Sequence, residues 1–224
     1  MVPASWPCPL PGGGTSEEFA LSCDAGRDHR LLIIPALFDE GNKLRRFTVE
    51  VMRRLELARI DSVLPDLPGC NESMLPLVIQ NPAGWLDAMT SAARHFRATH
   101  VLGMRGGSLF TPKSLPAFHY APVKAATILR QLVRARILSS REAGREENRE
   151  ALAETAVTRG ITLAGYEIGP DFYRDFEPMV PDALPTVIGQ DEVGGSGLWL
   201  RAEPDENGAQ ADALAALLTG ALRA

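Results

Sequence analysis

The stretch "THVLGMRGGSLF", residues 99–110, decides how the chain is read. Its first half, "THVLGM", is a short apolar run of the length of a buried strand. Gly103, Gly106 and Gly107 then crowd around Arg105 in the spacing G-x-R-x-G, so the strand must end in a sharp turn with the arginine at its apex. The flanking glycines relieve crowding there, and a strained or left-handed backbone is expected at Arg105 itself.

Working outward, "HRLLIIPA" before it reads as a second strand buried on both faces, and "LRRFTVEVMRRLELARI" carries apolar residues at helical spacing. "DSVLPDLPGC" is a further short strand, and "AGWLDAMTSAARHFRA" a helix with Trp85, Met89, Ala92 and Phe96 on one stripe. Such alternation implies an α/β fold: a mostly parallel sheet with helices on both faces, residues 31–35, 61–65 and 100–104 being adjacent parallel strands. Ligand chemistry in such a sheet gathers at the carboxyl ends of the strands, where "PALFDEGNK", "PDLPGCNES" and "MRGGS" fall.

Residues 1–16, rich in proline and glycine, read as a flexible segment, and 17–224 as one domain. A small helical cap is expected at about 113–160, from "PVKAATILRQLVRARILSS" and "REENREALAETAVTRG". The "ITLAGYEIG" run reads as a return to the sheet, "VPDALPTVIGQDEVGGSG" as a flexible connection, "GLWLRAEP" as the last strand and "GAQADALAALLTGALRA" as a closing helix.

The chain's 28 acidic against 23 basic residues, net −5, supply no global attraction for nucleic acid. Cys8, Cys23 and Cys70 form no CxxC pair, which argues against a disulfide framework or a zinc site, and no motif calls for a cofactor or other metal. With no signal-peptide pattern and no run of about 18 apolar residues, a soluble cytoplasmic chain is expected. Nothing in the sequence speaks to oligomeric state.

The strand and turn at Gly103–Gly107 resemble the nucleophile elbow, G-x-S-x-G, of the α/β-hydrolase superfamily, with Arg105 where serine would stand. Phe38–Arg46, Pro65–Ser73, Gly103–Gly107 and Ala164–Ile168 together are most similar to the smaller, second type of exosortase-system-associated hydrolase-like proteins of bacteria. That resemblance, running from about residue 30 to the last strand, implies a hydrolase fold and a role in an exosortase-linked envelope or exopolysaccharide system.

The residues themselves oppose the superfamily's usual hydrolysis. A guanidinium has no lone pair with which to attack, and no histidine follows His119, although the superfamily's triad order would place the base near the C-terminus. The best surviving covalent scheme pairs Ser108 with His119, placed on a connection over the strand ends; against it, Ser108 bonds backbone and His119 packs beside Tyr120. Cys70 has no nearby histidine to activate it and reads as a packed thiol.

An arginine elbow suits an anion receptor, in which Arg105 and the N–H groups from Gly106 onward take a small carboxylate or phosphate. Glu40, or Asp39, stands opposite as an ion-pair partner, and Asn42 and Lys43, first of the donors that include Arg45 and Arg46, face the cleft. Tyr166 and Glu167 alternate, so only one lines that wall. Three functions stay open at this point: a binding or accessory protein without a triad, a hydrolase of small esters or thioesters using atypical residues, and a membrane-peripheral scaffold whose basic 122–138 helix lies on anionic lipid.

Overall fold

The structure is a computed structural model and describes residues 1–223. In chain order its elements are β1 (Val2–Pro9), β2 (Thr15–Cys23), β3 (Arg30–Ile34), α1 (Phe38–Leu57), β4 (Asp61–Pro65), α2 (Pro82–His95), β5 (His100–Met104), a 3₁₀ turn (Arg105–Phe110) and β6 (Ala117–Tyr120). There follow α3 (Ala125–Glu142), α4 (Arg149–Arg159), β7 (Ile161–Leu163), β8 (Tyr166–Ile168), α5 (Pro170–Phe176), β9 (Thr186–Ile188), α6 (Gln190–Val193) and α7 (Gly208–Arg223).

The main sheet has the order β1-β2-β4-β3-β5-β6-β9. Strands β4, β3, β5, β6 and β9 run parallel, as expected for 31–35, 61–65 and 100–104, while β1 and β2 pair antiparallel at one edge. From β3 the chain crosses through α1 to β4, then returns through α2 to β5 on the far side of β3. The connections therefore reverse between β3 and β5, and the crevice at their carboxyl ends lies at the topological switch point.

Each face has its own core. Leu44, Phe47 and Leu55 of α1 pack with Leu214 and Leu218 of α7 on one side. Trp85, Met89 and Ala92 of α2 pack on the other, in a cluster that continues through Ile128, Leu129 and Leu132 of α3 to Phe172 and Phe176 of α5. Phe38 joins that cluster through close ring contacts with Trp85, Tyr166 and Phe172.

The structure corrects four expectations. Residues 2–9 are no flexible segment but an edge strand, with Trp6 and Cys8 fully buried against the α2 side. Pro3, Pro7 and Pro9 share one parity, so their missing N–H groups fall along the open edge, where no partner needs them. The 161–169 run does not rejoin the sheet; β7 and β8 form a separate antiparallel hairpin around the turn at Ala164 and Gly165, both with positive φ. The last strand is β9, inside the supposed flexible connection, where Thr186–Ile188 pairs with Phe118–Tyr120. "GLWLRAEP" instead forms a 3₁₀ turn at Leu198–Leu200 that tucks Leu198 into the core.

Candidate functional site

At the end of β5 the backbone turns sharply, and Arg105 takes a left-handed φ of 51°. The glycines serve close approach: a Cβ on Gly103 would lie 2.5 Å from Ser108 Cα, and one on Gly107 would lie 2.5 Å from the carbonyl oxygen of Ile34. The turn is thus clamped against the end of β3. It continues as six residues of 3₁₀ helix, too short for more than a small macrodipole to stand behind the N–H groups of Gly106 onward. The side chains of Leu37 and Ile128 close over Gly106; a Cβ there would lie 2.9 and 2.6 Å from their Cδ1 atoms.

Arg105 is 8% exposed. Its Nε and Nη2 donate to Glu40 Oε2 and Oε1, each at 3.0 Å, and Nη1 donates to the Ala121 carbonyl at 2.7 Å. The guanidinium carbon also lies 3.9 Å from the ring centroid of Trp199. Glu40 stands in the first turn of α1, a 20-residue helix whose N-terminus favours a carboxylate. The fork that would grip an external anion is engaged by this internal one.

The other sequence-selected residues divide between two cavities. Glu40 and Lys43 line a cleft of about 560 Å³ with Phe38, Gln131, Arg134 and Trp199. Asn42 lines a smaller one of about 240 Å³ with Cys70 and Tyr166, and its Nδ2 donates to the Tyr166 hydroxyl at 3.1 Å. Arg105 and Gly106 line neither. Lys43 is paired with Asp39 at 2.7 Å. Glu167 is exposed, while Tyr166 is partly buried beside Asn42. Arg45 faces away from the cleft toward the β4 loop, where it holds the fully buried Asp66 at 2.6 Å.

Ser108 and His119 do not meet. The Ser108 hydroxyl donates to the Arg105 carbonyl at 2.6 Å, and the His119 Nε2 lies 3.0 Å from Thr111 Oγ1. His119 lies in β6 rather than on a connection, fully buried, and that burial pushes its pKa below 6.5. Burial, reinforced by nearby Asp66, pushes the Cys70 thiol up to about 12, which keeps it protonated and a poor nucleophile. The residues missed by the sequence reading are Trp199, Gln131 and Arg134. Trp199 falls in "GLWLRAEP", whose pattern reads as a strand, and the pairing of two helical residues with a distant 3₁₀ turn leaves no local signal.

No family model and no curated protein matches the chain. Among solved structures it is similar to the α/β-hydrolase domain-containing protein 10 from mouse, with a TM-score of 0.58 and 12% identity over 92% of this chain and 94% of that one. Shorter likenesses are to a hydrolase from Agrobacterium vitis (TM-score 0.45, 13% identity, 62% of this chain) and an α/β serine hydrolase without lid from Xanthomonas campestris (0.40, 14%, 54%). The chain spans 59% and 61% of the length of those two bacterial proteins. With the parallel sheet and the turn at Arg105, the likeness to the mouse protein defines the class: this chain has the α/β-hydrolase fold.

Proposed function

We propose that this chain is a non-hydrolytic binding or accessory protein on the α/β-hydrolase fold, acting in an exosortase-linked envelope or exopolysaccharide system, and that its cleft receives a small carboxylate or phosphate ligand. One observation carries the reading: the apex of the elbow, where a hydrolase of this fold needs a nucleophile, holds a guanidinium whose Nε and Nη2 both donate to the Glu40 carboxylate. The envelope role rests on the four-motif resemblance. The anion reading rests on the cleft beside the pair, where Asp39 and Glu40 are paired with Lys43 and Arg105 and where Arg134, beside apolar lining such as Phe38 and Leu132, has no ion-pair partner among the described residues.

The test has two arms. Purified protein with an activated short-chain ester and a serine-directed phosphonate is expected to show neither burst nor labelling, and Arg105→Ser alone is expected to stay inactive for want of a base. Trp6 and Trp85 are fully buried and Trp199 borders the cleft, so tryptophan fluorescence reports occupancy. Titration with butyrate or inorganic phosphate is expected to give a saturable change, lost in Trp199→Phe and weakened about tenfold in Arg134→Ala. Ester turnover abolished by Ser108→Ala would restore the hydrolase reading, and a flat titration with both anions would remove the ligand.

A further inference from the structure

Ten of the twenty arginines hold carboxylates among the described residues, Arg45, Arg105 and Arg136 among them. The outer face of α3 gathers four of the other ten. Arg130, Arg134 and Arg141 line one groove of about 710 Å³ with Arg149 from the start of α4, and none of the four has an ion-pair partner among the described residues. No carboxylate lines the groove. Glu147, which lines an adjoining cavity with Arg141 and Glu146, is bound to Arg136 and Ser140. In a chain of net charge −5, four cations without an ion pair in one groove form a local basic patch.

The groove is also apolar. Val133 and Ile137 form its floor, and Leu138 stands 58% exposed among the arginines. Gln131 and Arg134 line both this groove and the elbow cleft, so the two adjoin, and Leu200, 72% exposed, also lines the cleft. The pattern is cationic rim, apolar floor and projecting leucines. It has no aromatic side chain on which a base would stack, and a phosphodiester chain has no use for Leu138 and Ile137. A bilayer with anionic headgroups satisfies both parts: arginine stems lie along apolar surface with their charges at phosphates, while leucine reaches the acyl boundary.

We infer that the outer face of α3, with Arg149, is a docking surface for an anionic phospholipid bilayer, and that docking turns the mouth of the elbow cleft toward the membrane. Association is peripheral; no helix among the described residues is long and apolar enough to cross a membrane. Each arginine near a negatively charged surface strengthens binding about fivefold, so four give an attachment strong at low salt and reversible at high salt.

The experiment is flotation of the full chain with vesicles of phosphatidylcholine alone or with about one-third phosphatidylglycerol. Recovery is expected only with the anionic vesicles, and is expected to disappear as salt rises from about 0.05 to 0.5 M. Arg130→Glu with Arg141→Glu should lower partitioning at least about twentyfold. Leu138→Asn should lower it several-fold, and Arg159→Glu, an exposed position outside the groove, should leave it unchanged. The glutamine pair Arg130→Gln with Arg141→Gln, checked for its melting curve, guards against misfolding. Equal recovery on neutral vesicles, no recovery on anionic ones, or unchanged recovery of the folded double variants would overturn the inference. So would binding to a duplex oligonucleotide that matches the anionic vesicles in salt and variant dependence. None of these outcomes depends on Arg105 or on ester turnover, so this surface and the reading of the elbow stand or fall separately.

Discussion

Replacing Arg105 by alanine strips both carboxylate hydrogen bonds from Glu40 and leaves that side chain charged and buried. The two side chains are 10% and 9% exposed, so solvent screens the pair weakly. Removing one partner of such a pair costs about 3–5 kcal/mol, a large share of the ~5–15 kcal/mol that holds a domain folded. The backbone adds a separable contribution. Alanine at φ 51° keeps the left-handed strain, whereas glycine relieves it, so Arg105→Gly should be less destabilising than Arg105→Ala by about 1 kcal/mol. Removing both charges together, as Arg105→Met with Glu40→Leu, should restore most of the loss, since an apolar pair of similar volume avoids the desolvation of two ions. Urea unfolding followed by far-UV circular dichroism measures these three variants and the single variants Arg105→Met and Glu40→Leu that complete the cycle; tryptophan fluorescence would be confounded by the loss of the cation over Trp199. A coupling energy of at least about 2 kcal/mol is expected from the cycle. A loss below about 1 kcal/mol in Arg105→Ala, or the same loss with Glu40 already replaced, would refute the view that the elbow is closed by this ion pair.

Gly107→Ala should destabilise by about 1–3 kcal/mol or more, because its Cβ would press on the Ile34 carbonyl and neither backbone can yield without breaking the β3–β5 register; thermal unfolding checks it. Acid should act in two windows. His119 and His100 are held below 6.5 in the folded chain, mainly by burial, so the unfolded chain takes up protons first and stability falls as pH drops below about 6.5. His119→Gln should flatten that slope. Glu147 is held at about 2 by hydrogen bonds from Arg136 and Ser140, so its stabilisation is present above 4.5 and is lost as pH falls from there toward 2; Glu147→Gln should shrink this lower window, to which Asp24 and Glu50 also contribute, and leave the upper one unchanged. A slope between pH 6.5 and 5 unchanged by His119→Gln would rule out that histidine as its source.

The elements legible in the sequence are those whose local pattern and tertiary role agree. β3, β4 and β5 are apolar runs closed by proline or glycine, and α1, α2, α3 and α7 carry stripes at helical spacing that do face the core. The illegible ones take their structure from a neighbour. β1 is a strand only because β2 offers it an edge on which three prolines cost nothing, and β9 is three residues long, shorter than any pattern that periodicity can reveal. Trp199 reaches the site from a 3₁₀ turn that no spacing announces.

The elbow separates these two kinds of information within one motif. Its shape is legible because it belongs to the backbone: Gly103 and Gly107 admit Ser108 and the end of β3 at distances no Cβ would allow, whatever side chain stands between them. The chemistry at its apex is set elsewhere. Glu40 lies 65 residues earlier, and it reaches Arg105 because β3 and β5 are hydrogen-bonded neighbours at Ile34 and Gly103 and α1 begins four residues after β3 ends. Glycine spacing therefore identifies the turn, while the nature of residue 105 and of its partner decides whether the turn can attack. With arginine and glutamate in those two places the apex is an ion pair, its guanidinium engaged by Glu40 and the Ala121 carbonyl instead of by an external anion.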